Sequence, residues 1–472
     1  MALNSSGPIS LAGSTAGQSI AVELGQSATG TISLNDTAVR NLAGVPSGAI
    51  IMPTNFWGKS SVSYFIGTMV SNACQGVATD SSNNIYIGGY YTVTTQDSIF
   101  AKFDTAGTIQ WQRSLYATGI NNDERVKSMG VDSSGNVYIM GSASNSSYNS
   151  YMIAKYDSSG TLQWQKYLGN SPDQHSLEGG VVDSSGNIYV SGYFYSGWQG
   201  MVIAKYDTSG TLLWQRLLQT SGFSTQAAKI ALDSSGNIYV TGRSSPTGYN
   251  RCIIVKYNNS GTIQWQRLFG DVGTVATIGY GIAADTSGNV YAVGTTNVLG
   301  NNDFFIVKYN TSGTLQWQKS LTNYNSTVFV GVSVDSSGNV YAIGYTNLSP
   351  YRCAIVKYDS SGSLQWQRIM TNSIGYAYGY NISVGSSNVL NIVGEMDGNF
   401  SMFAKLPGDG SKTGTYTVGS ATITYAAASF VDPGSSQADN TSSVTDSAGT
   451  AANRALTLTS ATTTQATSVT TI

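Results

Sequence analysis

The stretch VKSMGVDSSGNVYIMGSASNSSYNSYMIAKYDSSGTLQWQKYL, residues 126–168, decides the fold. An apolar run from Val126 enters the turn Asp132-Ser-Ser-Gly-Asn136. Val137-Tyr-Ile-Met140 and a glycine follow, then a polar loop of about ten residues. Tyr151-Met-Ile-Ala-Lys-Tyr156 leads into a second turn, Asp157-Ser-Ser-Gly160, and Leu162-Gln-Trp-Gln-Lys-Tyr-Leu168 closes the unit. Runs rich in Val, Ile, Tyr and Trp, bounded by Gly, Ser and Asp clusters, read as strands. Asp bonds backbone amides two residues on and Gly accepts positive φ, so both turns read as tight hairpins. The stretch therefore predicts four antiparallel strands.

The same unit recurs along the chain. The Trp-Gln block places Trp111, Trp164, Trp214, Trp265, Trp317 and Trp366 49 to 53 residues apart. The Asp turn recurs at Asp80, Asp132, Asp183, Asp233, Asp285 and Asp335, with a degenerate seventh copy over Gly385 to Val389. An apolar-x-Lys block gives Lys102, Lys155, Lys205, Lys256, Lys308, Lys357 and Lys405. Seven four-stranded antiparallel units of about 50 residues predict an all-β, seven-bladed β-propeller. A parallel β-solenoid is the rival, but its rungs are shorter and need no pair of Asp-Gly hairpins per repeat. The seventh unit lacks a Trp-Gln strand. Either Val62 to Ile66 or Thr415 to Val418 completes it; use of the N-terminal segment closes the ring on itself and removes open sheet edges.

Composition narrows the function. The 472 residues carry 23 Lys and Arg against 25 Asp and Glu, a net charge of −2. Only 10% are charged, against about 25% in an average domain. No basic excess speaks for nucleic acid. A single histidine excludes a multi-histidine metal site. Cys74, Cys252 and Cys353 are widely spaced and form no CxxC pair, and they read as small buried hydrophobes. The N-terminal MALNSSGPISLAGSTAG lacks a basic region and an apolar core, so no secretory signal is expected, and no apolar run is long enough to span a membrane.

The repeat-locked residues read as scaffold. Each Trp is expected to pack between neighbouring blades, and each Lys to bury its stem while its head reaches a carboxylate or carbonyl. The Asp turns lack the alternate oxygens and distal Glu of a calcium loop. At the other end of each blade the loops differ in every copy. They carry Tyr148, Tyr195, Trp198, Tyr249 and Tyr351, and a connection carries His175. Variable loops on a rigid scaffold carry binding function, and rings among Asn, Gln and Ser suit carbohydrate or a neutral protein surface. Catalysis has little support. His175 stands alone with Asp173 and Glu178 nearby, Asp123 and Glu124 are adjacent and diverge, and no phosphate motif opens a helix. Two distant carboxylates acting as a glycosidase remain an open alternative. No catalytic residue, cofactor or metal ligand is assigned.

Residues 1–60 depart from the repeat, with short helices expected over Gln18 to Leu24 and Asn35 to Ala43. Ile32-Ser-Leu-Asn-Asp-Thr-Ala-Val-Arg-Asn-Leu-Ala-Gly44, Ser47-Gly-Ala-Ile50 and Phe56-Trp-Gly-Lys-Ser60 resemble a small α/β module of tail and appendage proteins of tailed bacteriophages. The propeller resembles bacterial and phage repeats built on DSSGNVYV and KYDSSG. The C-terminal LPGDGSKTGTYTVGSATITYAAASF and the Ser/Thr/Ala run beyond it resemble the tails of cyanophage fibre proteins. This resemblance implies a virion appendage with three parts: an attachment module over 1–60, a propeller over 61–425 and an extended tail over 426–472. It implies other virion proteins as partners through the two ends, host surface glycan or a neighbouring subunit at the propeller face, and a homo-oligomer. Thr-Ile-Thr alternation and low charge favour strand addition by the tail to a neighbour. The alternatives are a propeller polysaccharide lyase or glycosidase, and a bacterial cell-surface propeller.

Overall fold

The computed structural model describes residues 63–430, apart from short stretches in the connections, and five strand segments between 439 and 471. Of the residues before 63 it describes only Val39, which is helical and buried. The attachment module expected over residues 1–60 otherwise lies outside the described residues.

Seven four-stranded antiparallel blades form a closed ring, with consecutive inner strands in contact and the inner strand of blade seven against that of blade one. Blade two shows the plan: Asp123–Val131 innermost, then Val137–Ser144, Asn149–Tyr156 and Leu162–Leu168 outermost. The Asp turn joins the first two strands. Asp132 accepts backbone N–H groups of Ser134 and Asn136 on Oδ1, and the Asn136 amide and Tyr138 hydroxyl on Oδ2. Gly135 adopts φ 78°, which a residue with a Cβ resists. Tyr138 is thereby the buried foot of its blade, and Tyr86, Tyr189, Tyr239, Tyr291 and Tyr341 repeat it.

The Trp-Gln strand fastens one blade to the next. Trp111 Nε1 donates to the Ser158 carbonyl at 3.1 Å, and Arg113 Nε to the Gly160 carbonyl at 2.8 Å, both in the outer turn of blade two. Trp164, Trp214, Trp265, Trp317 and Trp366 repeat this reach into the next blade. The Lys block bridges as well: Lys256 Nζ lies 5.3 Å from the Tyr239 ring centre and donates to the Thr311 carbonyl. All three cysteines are buried. The scaffold roles expected for these residues are the ones observed.

Of the two segments competing to complete blade seven, the N-terminal one does so. Phe65–Val70 pairs antiparallel with Phe400–Pro407, outside Ala377–Gly385 and Val389–Met396. Phe65 stands opposite Lys405, the register that Trp265 has opposite Lys256, and Phe403 of the third strand lies with its ring 4.6 Å from Phe103 in blade one. Gly414–Val418 instead forms a hairpin with Ala421–Ala427, which adds to the outer strand of blade six.

The strand-forming tail pairs with this chain's own blades. Asp439–Thr441, Thr445–Ala448, Asn453–Arg454 and Leu458–Thr462 add antiparallel to the outer strands of blades four, three, two and one. Thr467–Thr471 adds to Phe65–Val70. The tail thus runs round the rim against chain order and ends on the strand that closes the ring. It covers outer edges that would otherwise present unpaired backbone groups.

Candidate functional site

The repeat makes a site at the centre of the ring. Every inner strand carries a one-residue bulge: the register shifts between Cys74 and Gly76, Val126 and Ser128, Leu177 and Gly179, Ala227 and Lys229, Gly279 and Gly281, Phe329 and Gly331, and Gly379 and Asn381. A glycine in the second strand permits each bulge. At Gly242 a Cβ would overlap the carbonyl oxygen of Gln226, two residues ahead of the bulge, and Gly141, Gly192 and Gly344 stand in the same relation to Arg125, Ser176 and Val328. A close backbone approach of this kind admits only glycine.

The bulged residues are Gln75, Lys127, Glu178, Ala228, Tyr280, Val330 and Tyr380. All seven line one cavity of about 440 Å³ at the channel mouth, on the side of the variable loops. They differ in nearly every blade, as do the residues two positions ahead of them, Ala73, Arg125, Ser176, Gln226, Ile278, Val328 and Tyr378. Blades two to four supply Lys127, Glu178, Lys229 and Arg243, while blades five and seven supply Tyr280 and Tyr380. The ring order therefore sets a charged arc against an aromatic one.

From Tyr380 a connected cluster of rings, Tyr345, Tyr351, Tyr376 and Tyr378, continues beyond the cavity lining. Tyr345 lies 4.7 Å from Tyr378, Tyr351 5.0 Å from Tyr378, and Tyr376 4.9 Å from Tyr378. Tyr378 and Tyr380 are stacked at 6.1 Å with an interplanar angle of 6°. Glu395 holds two of these phenols, accepting from Tyr376 at 3.0 Å and Tyr380 at 2.7 Å. Burial first, and the Glu395 carboxylate second, raise the Tyr380 phenol far above its ordinary value. Burial pushes Tyr345 up to about 12. The cluster consequently presents neutral rings and hydroxyls at physiological pH.

In the charged arc, Lys127 Nζ pairs with Glu178 at 3.5 Å, and Glu178 also accepts from Ser176. Lys229 Nζ donates to the Lys127 carbonyl at 3.2 Å. Its ammonium is pushed down to about 8, by desolvation first and the Lys127 charge second, against the pull of Glu178. Arg243 Nε donates to Gln226 at 2.7 Å, and Gln226 is bonded in turn to Gln199.

The residues singled out from the loops disperse. Tyr351 joins the tyrosine cluster. Tyr195, near the end of the strand Ile188–Ser196, and Tyr249, in a loop, are 48% and 46% exposed and do not belong to the cavity lining. The backbones of His175 and Trp198 lie in strands, opposite Phe194 and Ser196. Tyr148 lies outside the described residues. A reading of the loops does not find the bulge residues or Tyr376 to Tyr380. Their signal is nonetheless present in the repeat, as variable positions at the start of each inner strand, ahead of the constant Asp turn. Among the described residues no group of three His, Cys, Asp or Glu side chains is placed to hold a metal ion.

Residues 213–250 and 264–301 match the β-propeller repeat family SBBP. This is a propeller-repeat protein. No curated protein matches the chain. Among solved structures, a protein of unknown function from Bacteroides caccae is 13% identical, with 64% of this chain and 93% of that one covered and a TM-score of 0.38. A gluconolactonase from Xanthomonas campestris is 13% identical, covering 63% and 90%, at 0.36. YCF48 bound to D1 peptide is 10% identical, covering 74% and 98%, at 0.44. These likenesses concern the fold alone.

Proposed function

We propose that this protein is a binding propeller that holds a surface saccharide at the mouth of its central channel, as part of a virion appendage. The tyrosine cluster running from Tyr345 and Tyr351 through Tyr378 to Tyr380 carries the reading. Stacked neutral rings with fixed hydroxyls present apolar faces to sugar C–H groups and hydrogen bonds to sugar hydroxyls, and a concave site with few placed polar groups is the usual form of a ligand pocket. The loops and bulge residues at the mouth differ from blade to blade while the Asp turns repeat, which suits a recognition surface on a constant frame. The resemblance of Ile32 to Gly44 and Phe56 to Ser60 to phage appendage modules supports the virion placement. The test applies purified protein to immobilised host polysaccharide, with Tyr378→Ala and Tyr380→Ala alongside. Saturable binding by the wild type, weakened about tenfold or more in the variants with melting temperature kept, is the expected result. Shortening of the polysaccharide would instead make it a depolymerase. Absence of the protein from purified virions by mass spectrometry would remove the appendage role.

A further inference from the structure

The charged arc has a feature that a site for neutral sugar does not require. Three cations and one carboxylate line the cavity, in a chain whose net charge is −2. Glu178 is committed to Lys127. Among the described residues Lys229 donates only to a backbone carbonyl and forms no ion pair, and Arg243 commits its Nε to Gln226 and leaves its two terminal nitrogens open. The hydrogen-bonded chain from Gln199 through Gln226 to Arg243 fixes the direction of the guanidinium. An ammonium and a forked guanidinium, part-desolvated and unneutralised, form a receptor for an oxyanion.

We propose that the mouth selects an acidic saccharide, with a uronic-acid carboxylate held by Lys229 and Arg243 while the sugar faces lie on the tyrosines opposite. This rests on the saccharide-binding reading and specifies its ligand class. A carboxylate fits better than a bulkier polyanion because the two open cations lie on neighbouring strands of a single blade, Thr225–Leu232 and Ile238–Ser244. Lys127 and Glu178 are the charged groups facing Lys229 from the other blades, Arg243 stands on the neighbouring strand of its own blade, and the phenols of Tyr193, Tyr280 and Tyr380 complete the lining.

The test compares oligogalacturonate with a neutral glucan of equal length by calorimetry, on the full chain at low salt. Acidic binding tighter by about tenfold or more is expected, with that ratio of acidic to neutral affinity lost in Lys229→Gln and in Arg243→Gln. Arg243→Gln keeps the test alive should Lys229→Gln not fold. Because burial pushes the Lys229 ammonium down to about 8, acidic binding of the wild type should weaken between about pH 7 and about pH 9, and Lys229→Arg should abolish that step. Equal affinity for the two polymers, or a preference that both Gln variants retain, overturns the acidic selection and leaves the saccharide reading standing. Failure of both polymers to bind, with no effect of Tyr378→Ala, overturns the two together.

Discussion

At the turn end of the propeller, blades one to six repeat the same groups: an Asp accepting two backbone amides, an Asn amide and a tyrosine hydroxyl, beside a glycine or asparagine at positive φ. At the mouth end the same strands carry Gln, Lys, Glu, Ala, Tyr, Val and Tyr at equivalent bulges. The first set satisfies itself. Its donors and acceptors meet within six residues, and little is left for a ligand. The second set does so only in part: Tyr380 gives its hydroxyl to Glu395, but among the described residues Lys229 and Arg243 keep open donors. Stability is concentrated where the residues repeat, and recognition where they differ. The following measurements test that division.

The largest effect is expected at the blade seams. Trp265 is 8% exposed, packs against Tyr239 and Tyr309, and reaches the Thr311 carbonyl of blade five. Trp265→Ala removes the ring and leaves a cavity, at a cost of about 3–5 kcal/mol. Calorimetry should show a marked fall in melting temperature. Saccharide affinity of the folded fraction should stay within about twofold, since Trp265 is not part of the cavity lining.

Gly242→Ala sits between the two regimes. It belongs to the repeat, yet it shapes the bulge that places Ala228 and Lys229 at the mouth. A Cβ must displace the Gln226 carbonyl, so a loss of about 1–3 kcal/mol is expected. Unlike Trp265→Ala, it should also weaken binding, because Gln226 orients Arg243. Unchanged affinity in this variant would separate the bulges from recognition.

The same positions divide what is legible in the amino-acid sequence from what is not. The seven blades, their turns and the seam tryptophans are legible because each rests on local chemistry repeated at a fixed period. The ring closure is legible as a choice between two segments, Val62 to Ile66 and Thr415 to Val418, since both have strand character and only long-range pairing separates them, while the closing strand itself lies further on, at Phe65–Val70. The tail reads as strand-forming, but composition carries no address for a strand that bonds through its backbone. The mouth-facing loops are visible, whereas the bulge is not. Alternation along Thr225–Leu232 assigns faces by a period of two, and one inserted residue reverses the assignment for everything beyond it. Gly242, across the sheet, is the residue that reveals it.

Acid should loosen the turn end in particular. Burial works against the Asp132 carboxylate, but hydrogen bonds from Asn136, Tyr138 and Ser134 outweigh it and hold the group below its ordinary value of 3.8. Asp157, Asp207 and Asp359 are lowered as well, chiefly by the serine hydroxyl two residues on. A folded-state value below the unfolded one contributes stability that is complete above the unfolded value and lost as pH falls through the folded one. The melting temperature should therefore hold down to about pH 5 and decline below about pH 4. Asp132→Asn should reduce that decline, and Tyr378→Ala should leave it unchanged.

The smallest effect on stability is expected at the rim, where the division can be sharpened most. Tyr195 and Tyr249 are about half exposed, on the hairpin of blade three and the loop of blade four. Their substitution by Ala should shift stability by no more than about 0.5 kcal/mol, as surface changes do. Their effect on affinity depends on ligand length. A short oligosaccharide confined to the 440 Å³ cavity does not reach them, so its binding should be unaffected by either change. A longer chain that leaves the mouth over blades three and four passes these rings and should bind less tightly to the double variant. Comparing a short with a long oligomer on the same protein thus measures how far recognition extends from the channel onto the loops. Equal losses for both lengths would mean that the rim tyrosines act on the cavity itself.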